Sequence, residues 1–462
     1  MPEDITRMSV ADLVSAYRSR DLSPVEVTQT FLDRIDEVDP HLHSYVTVTV
    51  DLALTQAADA ERRYRTGEAV GPLAGVPTAV KDAFHVADVP TTLGSAVHRG
   101  QVSKHDSGVV RRLREAGAVF LGKTNTAEFG QSATSENLLG PDTVNPWDPA
   151  TTPGGSSGGT AAAMAARLAT IGIGSDGGGS VRIPAAFCGI YGFKPTVGRC
   201  PDEKGFRGMT DFVAPGPMTS RVADARPVVS VLAETSMRPE QVGALRIGYC
   251  PAPEGRPVHP GVTAAIGRLA ALLADHGHRV TETDLPIGGW NEIFGPLVLE
   301  DEHRERGHLL AYAPDDLTGY ERSSLRAALK LESSAVENAR RGLADYRRRI
   351  DGLFEEFDIL LTPTVAVPAF ERGNRPTHID GTAVDHLWGA FPFAVPFNVG
   401  GVPAASVPCG LADGLPVGAQ LVGRAGADAL VLNLSQQAEE ALAFDVFAAA
   451  DRLSGSDLVS AP

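Results

Sequence analysis

The chain has 462 residues, 43% hydrophobic and 21% charged, proportions of a folded water-soluble protein that exclude a disordered or low-complexity chain. Its 41 basic and 57 acidic side chains leave a net charge of −16, which repels phosphate backbones and anionic lipid and argues against direct nucleic-acid or membrane partners. No stretch offers 18 uncharged apolar residues, since Arg167 interrupts the best candidate, and the start Met-Pro-Glu-Asp-Ile-Thr-Arg has no apolar leader core, so the expected location is cytoplasmic.

In chain order, the first 65 residues read as a helical preface. Ser23-Pro24-Val25-Glu26 supplies a cap, a first-turn proline and a reciprocal acid ahead of Val27, Phe31, Leu32 and Ile35. From about residue 72 strands and helices alternate. Val76 to Val80 is strand-like, Gly108 to Ala116 is helical with Gly117 as its stop, and Ala118 to Leu121 is strand-like again. A strong helix former begins at Thr160. Leu325 to Phe357 has helical periodicity, and Ile359 to Thr364 reads as a buried strand ending in a turn. Residues 200–260 and 366–400, rich in Pro and Gly, are expected to be loops that cover a cleft. This alternation favours an α/β sheet. Cys188, Cys200, Cys250 and Cys409 have no Cys-x-x-Cys spacing, so reduced thiols are expected rather than a zinc site or a disulfide framework.

Two glycine loops carry serines on either side of one apolar stretch: Gly154-Gly-Ser-Ser-Gly-Gly-Thr160 and Ser175-Asp-Gly-Gly-Gly-Ser-Val-Arg-Ile-Pro184. Any one of these serines alone reads as a cap or a turn residue. Together they suggest nucleophilic catalysis, because a serine attacks only with a base to take its proton and N–H groups to receive the developing charge. Lys81, in Gly-Val-Pro-Thr-Ala-Val-Lys-Asp, is the candidate base. Gly172-Ile-Gly174-Ser-Asp-Gly177 formally fits a dinucleotide fingerprint, but Gly178, Gly179 and Pro184 follow too closely for the long helix that fold requires. The Gly154 loop lacks the Gly-Lys-Ser/Thr ending of a phosphate loop.

These segments resemble the amidase signature family, and so do Gly192-Phe-Lys-Pro-Thr196, Gly122-Lys-Thr-Asn-Thr-Ala-Glu-Phe129, Asn145-Pro-Trp-Asp148, Gly401-Val-Pro-Ala-Ala-Ser-Val-Pro-Cys-Gly410 and Gly414-Leu-Pro-Val-Gly418. The resemblance implies one domain over 1–462 with an α/β amidase signature fold, a large mixed β-sheet covered by helices on both faces. Residues 1–65 would be the preface, 66–230 the signature core, and 231–462 the rest of the sheet and the pocket loops. It further implies Ser180 as acyl-enzyme nucleophile, Ser156 as bridging serine after a cis Gly155–Ser156 peptide, and Lys81 as base. Backbone N–H groups of Gly177, Gly178, Gly179 and Ser180 would form the oxyanion hole, and Ser157, Asp176 and Arg182 the supporting network. Gly130, Gln131 and Ser132 would bind substrate.

Gly177 departs from the common pattern, in which many members carry Thr, and this bears on substrate choice more than on chemistry. Trp388, Phe391, Phe393 and Phe397 are candidates for an apolar pocket wall or for plain core. The expected activity is hydrolysis of a small-molecule carboxylic amide to acid and ammonia or amine, with no metal or organic cofactor; a homodimer stays open. Two other classes share the motifs: the glutamine-hydrolysing amidase subunit of a tRNA-dependent amidotransferase, and a non-catalytic binding module.

Overall fold

The computed structural model describes residues 4–453. Helices α1 (Val10–Ser19) and α2 (Pro24–Leu42) open the chain, α2 capped by the Ser23 hydroxyl, which accepts from the N–H groups of Val25 and Glu26. The preface is not wholly helical. Strand β1 (Tyr45–Val48) precedes α3 (Val50–Thr66) and later pairs antiparallel with β3 (Val119–Thr124), a long-range pairing that four residues do not announce. β2 (Pro77–Lys81) and α4 (Gly108–Glu115) stand where the patterns place them, with Gly117 at φ 87° after α4.

Then come α5 (Gly158–Ala165), β4 (Ile171–Asp176), α6 (Arg182–Cys188), β5 (Tyr191–Lys194), β6 (Ala214–Thr219) and α7 (Val222–Leu232). They are followed by β7 (Arg246–Tyr249), α8 (Pro260–Asp275), β8 (Arg279–Glu282), α9 (Asn291–Arg306), α10 (Leu309–Tyr312), α11 (Gly319–Ala328), α12 (Ser333–Glu356) and β9 (Ile359–Pro363). The small ladder β10 (His378–Ile379) and β11 (Thr382–Ala383), then α13 (Val395–Val399), β12 (Ala404–Ala412), β13 (Leu415–Gly423), α14 (Asp428–Leu442) and α15 (Ala448–Leu453) complete the order. Two expectations change here. The stretch 200–260 holds β6, α7 and β7 as well as loops, because β6 is drafted between β4 and β5 despite Pro215 and Pro217. The helical run from Leu325 divides into α11 and α12.

Eleven strands form one mixed sheet in the order β1-β3-β2-β4-β6-β5-β12-β13-β9-β7-β8. Alternation along each strand sends side chains to both faces. On β3, Val119 and Leu121 pack with α2 and α5 while Phe120 packs with α4. On β9, Ile359 and Leu361 join α8 and α14 while Leu360 joins α9 and α12. Helices therefore cover the sheet on both sides, an α/β/α arrangement. The adjacent parallel strands β2 and β4 carry Lys81 and Ser175 at their ends, and the site grows from there.

Candidate active site

Lys81 closes β2 with its side chain fully buried. Its Nζ lies 2.7 Å from Ser156 Oγ and 3.0 Å from Ser175 Oγ, with the Ser175 carbonyl at 3.4 Å. Burial pushes the Lys81 ammonium down to about 7, against the opposing pull of the Asp176 carboxylate. A lysine there has a substantial neutral fraction near pH 7.

Ser156 follows a cis Gly155–Ser156 peptide. Ser135 holds this loop from outside: its hydroxyl donates to the Gly154 carbonyl at 2.9 Å and accepts from the Gly158 N–H at 3.0 Å. The two serine loops are tied to each other by the Ser157 N–H, which donates to the Ser180 carbonyl at 3.2 Å. Ser157 occupies the cap position of α5, but its hydroxyl donates to the Ser175 carbonyl at 3.4 Å and does not cap the helix. Ser180, 8% exposed, lines a cavity of about 370 Å³ together with Ser156, Ser175, Gly130 and Gly177.

Between β4 and α6 the turn is organised by Asp176. One carboxylate oxygen accepts from the Gly179 N–H at 2.8 Å and from Arg182 Nη2 at 2.9 Å; the other accepts from Arg182 Nε at 2.9 Å and from the Val181 N–H at 3.2 Å. Burial by itself raises the Asp176 carboxyl, but Arg182, Lys194 and Asn398 outweigh it and hold the group well below the usual carboxylate range. One expected donor is thereby corrected. The Gly179 N–H is spent on Asp176, whereas among the described residues those of Gly177, Gly178 and Ser180 have no internal partner.

The far half of the chain completes this network with residues the sequence reading missed. Asn398 Nδ2 donates to the Asp176 carbonyl at 2.9 Å and to its carboxylate at 2.8 Å, and Asn398 Oδ1 accepts from Arg182. Gln420 Oε1 accepts from Arg182 Nη1 at 2.6 Å while its Nε2 donates to Thr362 and to the Phe393 carbonyl. Both are fully buried. Ser175 lies inside the second glycine loop and Asn398 just before the Gly401 motif, but Gln420 carries no local signal. Lys123 and Asp82 were also missed: they form a buried ion pair at 2.7 Å beside Lys81, where burial pushes the Lys123 ammonium down and Asp82 opposes it.

The expected substrate segment divides. Gly130 lines the Ser180 cavity, and a Cβ there would stand 3.4 Å from Ser156 Oγ. Gln131 lines a neighbouring cavity. Ser132 Oγ instead pairs with Thr134 and accepts from Arg375 at 2.7 Å. Of the four late aromatics, Trp388 lines that neighbouring cavity. Phe391, Phe393 and Phe397 are fully buried core, Phe391 lying 6.1 Å from the Phe187 ring and 5.9 Å from Phe370. Among the described residues, no group of three or more His, Cys, Asp or Glu is placed to hold a metal, and no helix is long and apolar enough to cross a membrane.

A model of the Amidase family matches residues 26–288 and 317–432, leaving 289–316 unmatched. The chain is 34% identical to a glutamyl-tRNA(Gln) amidotransferase subunit from Thermobifida fusca (strain YX), covering 95% of this chain and 96% of that one. A crystal structure of an amidase superposes with TM-score 0.89 at 30% identity over 94% of this chain and 100% of the other. A bacterial aryl acylamidase of the amidase signature family superposes with TM-score 0.88 at 29% identity over 97% and 98%. With the glycine loops, the sheet and the family match in agreement, the chain belongs to the amidase signature family and is a hydrolase acting on the carbon–nitrogen bonds of amides.

Proposed function

We propose that Ser180 is the nucleophile, Ser156 the proton relay and Lys81 the base of a carboxylic amide hydrolase that works through a seryl ester. The observation that carries this reading is the buried Lys81–Ser156 contact of 2.7 Å opening onto the cavity that Ser180 lines. Neutral Lys81 takes the Ser156 proton as Ser156 takes that of Ser180, and Ser180 Oγ bonds to the amide carbon. The N–H groups of Gly177, Gly178 and Ser180 receive the oxyanion, each such donor contributing roughly 2.7–4 kcal/mol in comparable enzymes. Collapse of the tetrahedral intermediate breaks the carbon–nitrogen bond, and the amine leaves with a proton returned through Ser156. Water then adds to the ester by the same relay, releasing the acid and restoring Ser180. Ser157, Asp176 and Arg182 position the loops, and Gly130 bounds the reacting amide.

The supporting facts extend to setting. The eleven-stranded sheet, which joins β1 near the start of the chain to β13 near its end, supports one catalytic unit, and four buried, unpaired cysteines support a reducing, cytoplasmic compartment. Fluorophosphonate labelling followed by mass spectrometry tests the nucleophile, with the adduct expected on Ser180 and absent from Ser180→Ala; an adduct elsewhere overturns the assignment.

A second reading, glutamine hydrolysis beside partner subunits, is favoured by the likeness to amidotransferase subunits. The cavity wall supports the first reading better. A free amino acid brings an α-carboxylate and an α-ammonium, and among the described residues the charged side chains lining this cavity, Asp202, Glu203, Lys204 and Arg207, all come from one loop, with Glu203 already paired to Arg112. Glutaminase activity appearing only with added amidotransferase subunits would reverse that preference.

A further inference from the structure

A second cavity of about 310 Å³ lies against the first. Met209 lines both, and Gln131 of the second directly follows Gly130 of the first. Phe294, Val298, Leu387 and Trp388 supply the apolar part of its wall, beside the polar Asn291, Glu302, Tyr320, Ser323 and Ser324. Phe294 also backs the glycine loop, its ring 3.2 Å from where a Cβ on Gly178 would stand.

Met209 is the residue common to both linings. The Met209 sulfur overlaps the position a Cβ on Gly177 would take, so the thioether occupies space that only glycine leaves open. Its backbone sits at φ 52°, uncommon for a residue with a side chain. That conformation is fixed by N–H groups of Phe212 and Val213, which donate to its carbonyl at 2.8 and 2.9 Å, and by Thr210, which binds Asp301 of α9 at 2.7 and 2.5 Å. The backbone is held while the unbranched thioether stays adaptable. The wall also contains a buried donor with no partner among the described residues, Gln131 Nε2, which an acceptor on a bound molecule would satisfy. Phe294 and Val298 fall within 289–316, the stretch that the family match leaves out.

We propose that this second cavity is the specificity pocket, and that it takes an aryl or bulky aliphatic group of the amide, admitted when Met209 swings aside. The inference rests on Ser180 chemistry in the adjoining cavity. A void of roughly 150 Å³ accommodates benzene, so the space here admits a substituted ring.

The test is the ratio of kcat/KM for 4-phenylbutyramide to that for acetamide. Gly295 lines the cavity and, among the described residues, has nothing within 4 Å of a Cβ position, and leucine is a better helix former than glycine, so Gly295→Leu fills the pocket without threatening α9. Val298→Phe adds bulk from the same wall. The wild-type ratio is expected to exceed 1 by on the order of 10²-fold, given ten-fold per 1.4 kcal/mol of apolar burial, and to fall at least ten-fold in both variants. Met209→Ala should raise kcat/KM for amides with larger rings. A ratio near 1, or one that both filling variants leave unchanged, overturns the specificity pocket while acetamide turnover and a labelled Ser180 keep the amidase reading. An unlabelled Ser180 with no amide turned over would overturn both.

Discussion

Residues 75–182 and residues 289–423 build the site by different means. The first region supplies Lys81, Ser156, Ser175 and Ser180, all on strand ends or glycine loops beside β2 and β4. Their approach depends on short, glycine-rich segments: a Cβ on Gly155 would stand 2.5 Å from the Thr134 carbonyl oxygen, and one on Gly159 2.5 Å from the Asn125 nitrogen. The second region supplies single side chains that arrive across the sheet, Asn398 and Gln420 beneath Arg182 and Phe294 and Trp388 in the pocket wall. The proposed reacting groups therefore constrain contiguous sequence, whereas the proposed supports constrain only a position in space. A change in the first region should remove chemistry, and one in the second should loosen or redirect it.

The sharpest way to break that contrast is Ser180→Ala, expected to lower turnover by on the order of 10⁴-fold or more with the fold intact. Near-normal ammonia release, with an unchanged melting profile, would place the nucleophile elsewhere.

Lys81→Arg comes next. A guanidinium stays protonated and cannot act as base, so turnover should drop by on the order of 10³-fold, within the contribution of a positioned base. In the native enzyme kcat/KM should rise as pH passes upward through about 7, where Lys81 loses its proton, and level off above it. Because the ordinary value is 10.5, the unfolded chain binds the extra proton between these limits, and stability should also gain as pH rises across them. A flat pH profile together with an active Lys81→Arg enzyme would make Lys81 an anchor.

Asn398→Ala probes the second region. It strips partners from the Asp176 carbonyl and from Arg182, at a cost of about 1–3 kcal/mol for each buried group left unpaired. A lower melting temperature is expected, with a fall in kcat of up to roughly 10²-fold from misplacement of the Ser180 loop. Loss of activity without any loss of stability would show that Asn398 acts on the substrate directly.

Ser175→Ala should have the smallest effect. The hydroxyl accepts from Lys81 Nζ at 3.0 Å and favours the charged ammonium, so its removal should move the pH limb to lower pH. A hydrogen bond of about 0.5–1.5 kcal/mol corresponds to about one pH unit at most. A shift to higher pH would contradict that role.

Much of the first region was legible because its constraints are local. Glycine loops, the run ending at Lys81 and the Asp176–Arg182 spacing all lie within short windows, and the cap at Ser23 follows from adjacent residues. The Gly179 N–H was misread because its direction depends on the Asp176 rotamer, which sequence spacing does not record. β1 and β6 were missed because pairing partners far along the chain, and not strand propensity, recruit them.

By itself the sequence determined the α/β class, the family and the segments that bring serines and a lysine together, since periodicity and glycine placement act over a few residues. Tertiary structure alone decided which N–H groups are left without an internal partner among the described residues, that Asn398 and Gln420 close the network around Arg182, and that Met209 lines two cavities. These depend on side-chain directions and on contacts between residues about 200 positions apart, fixed only when the whole sheet assembles and excludes water.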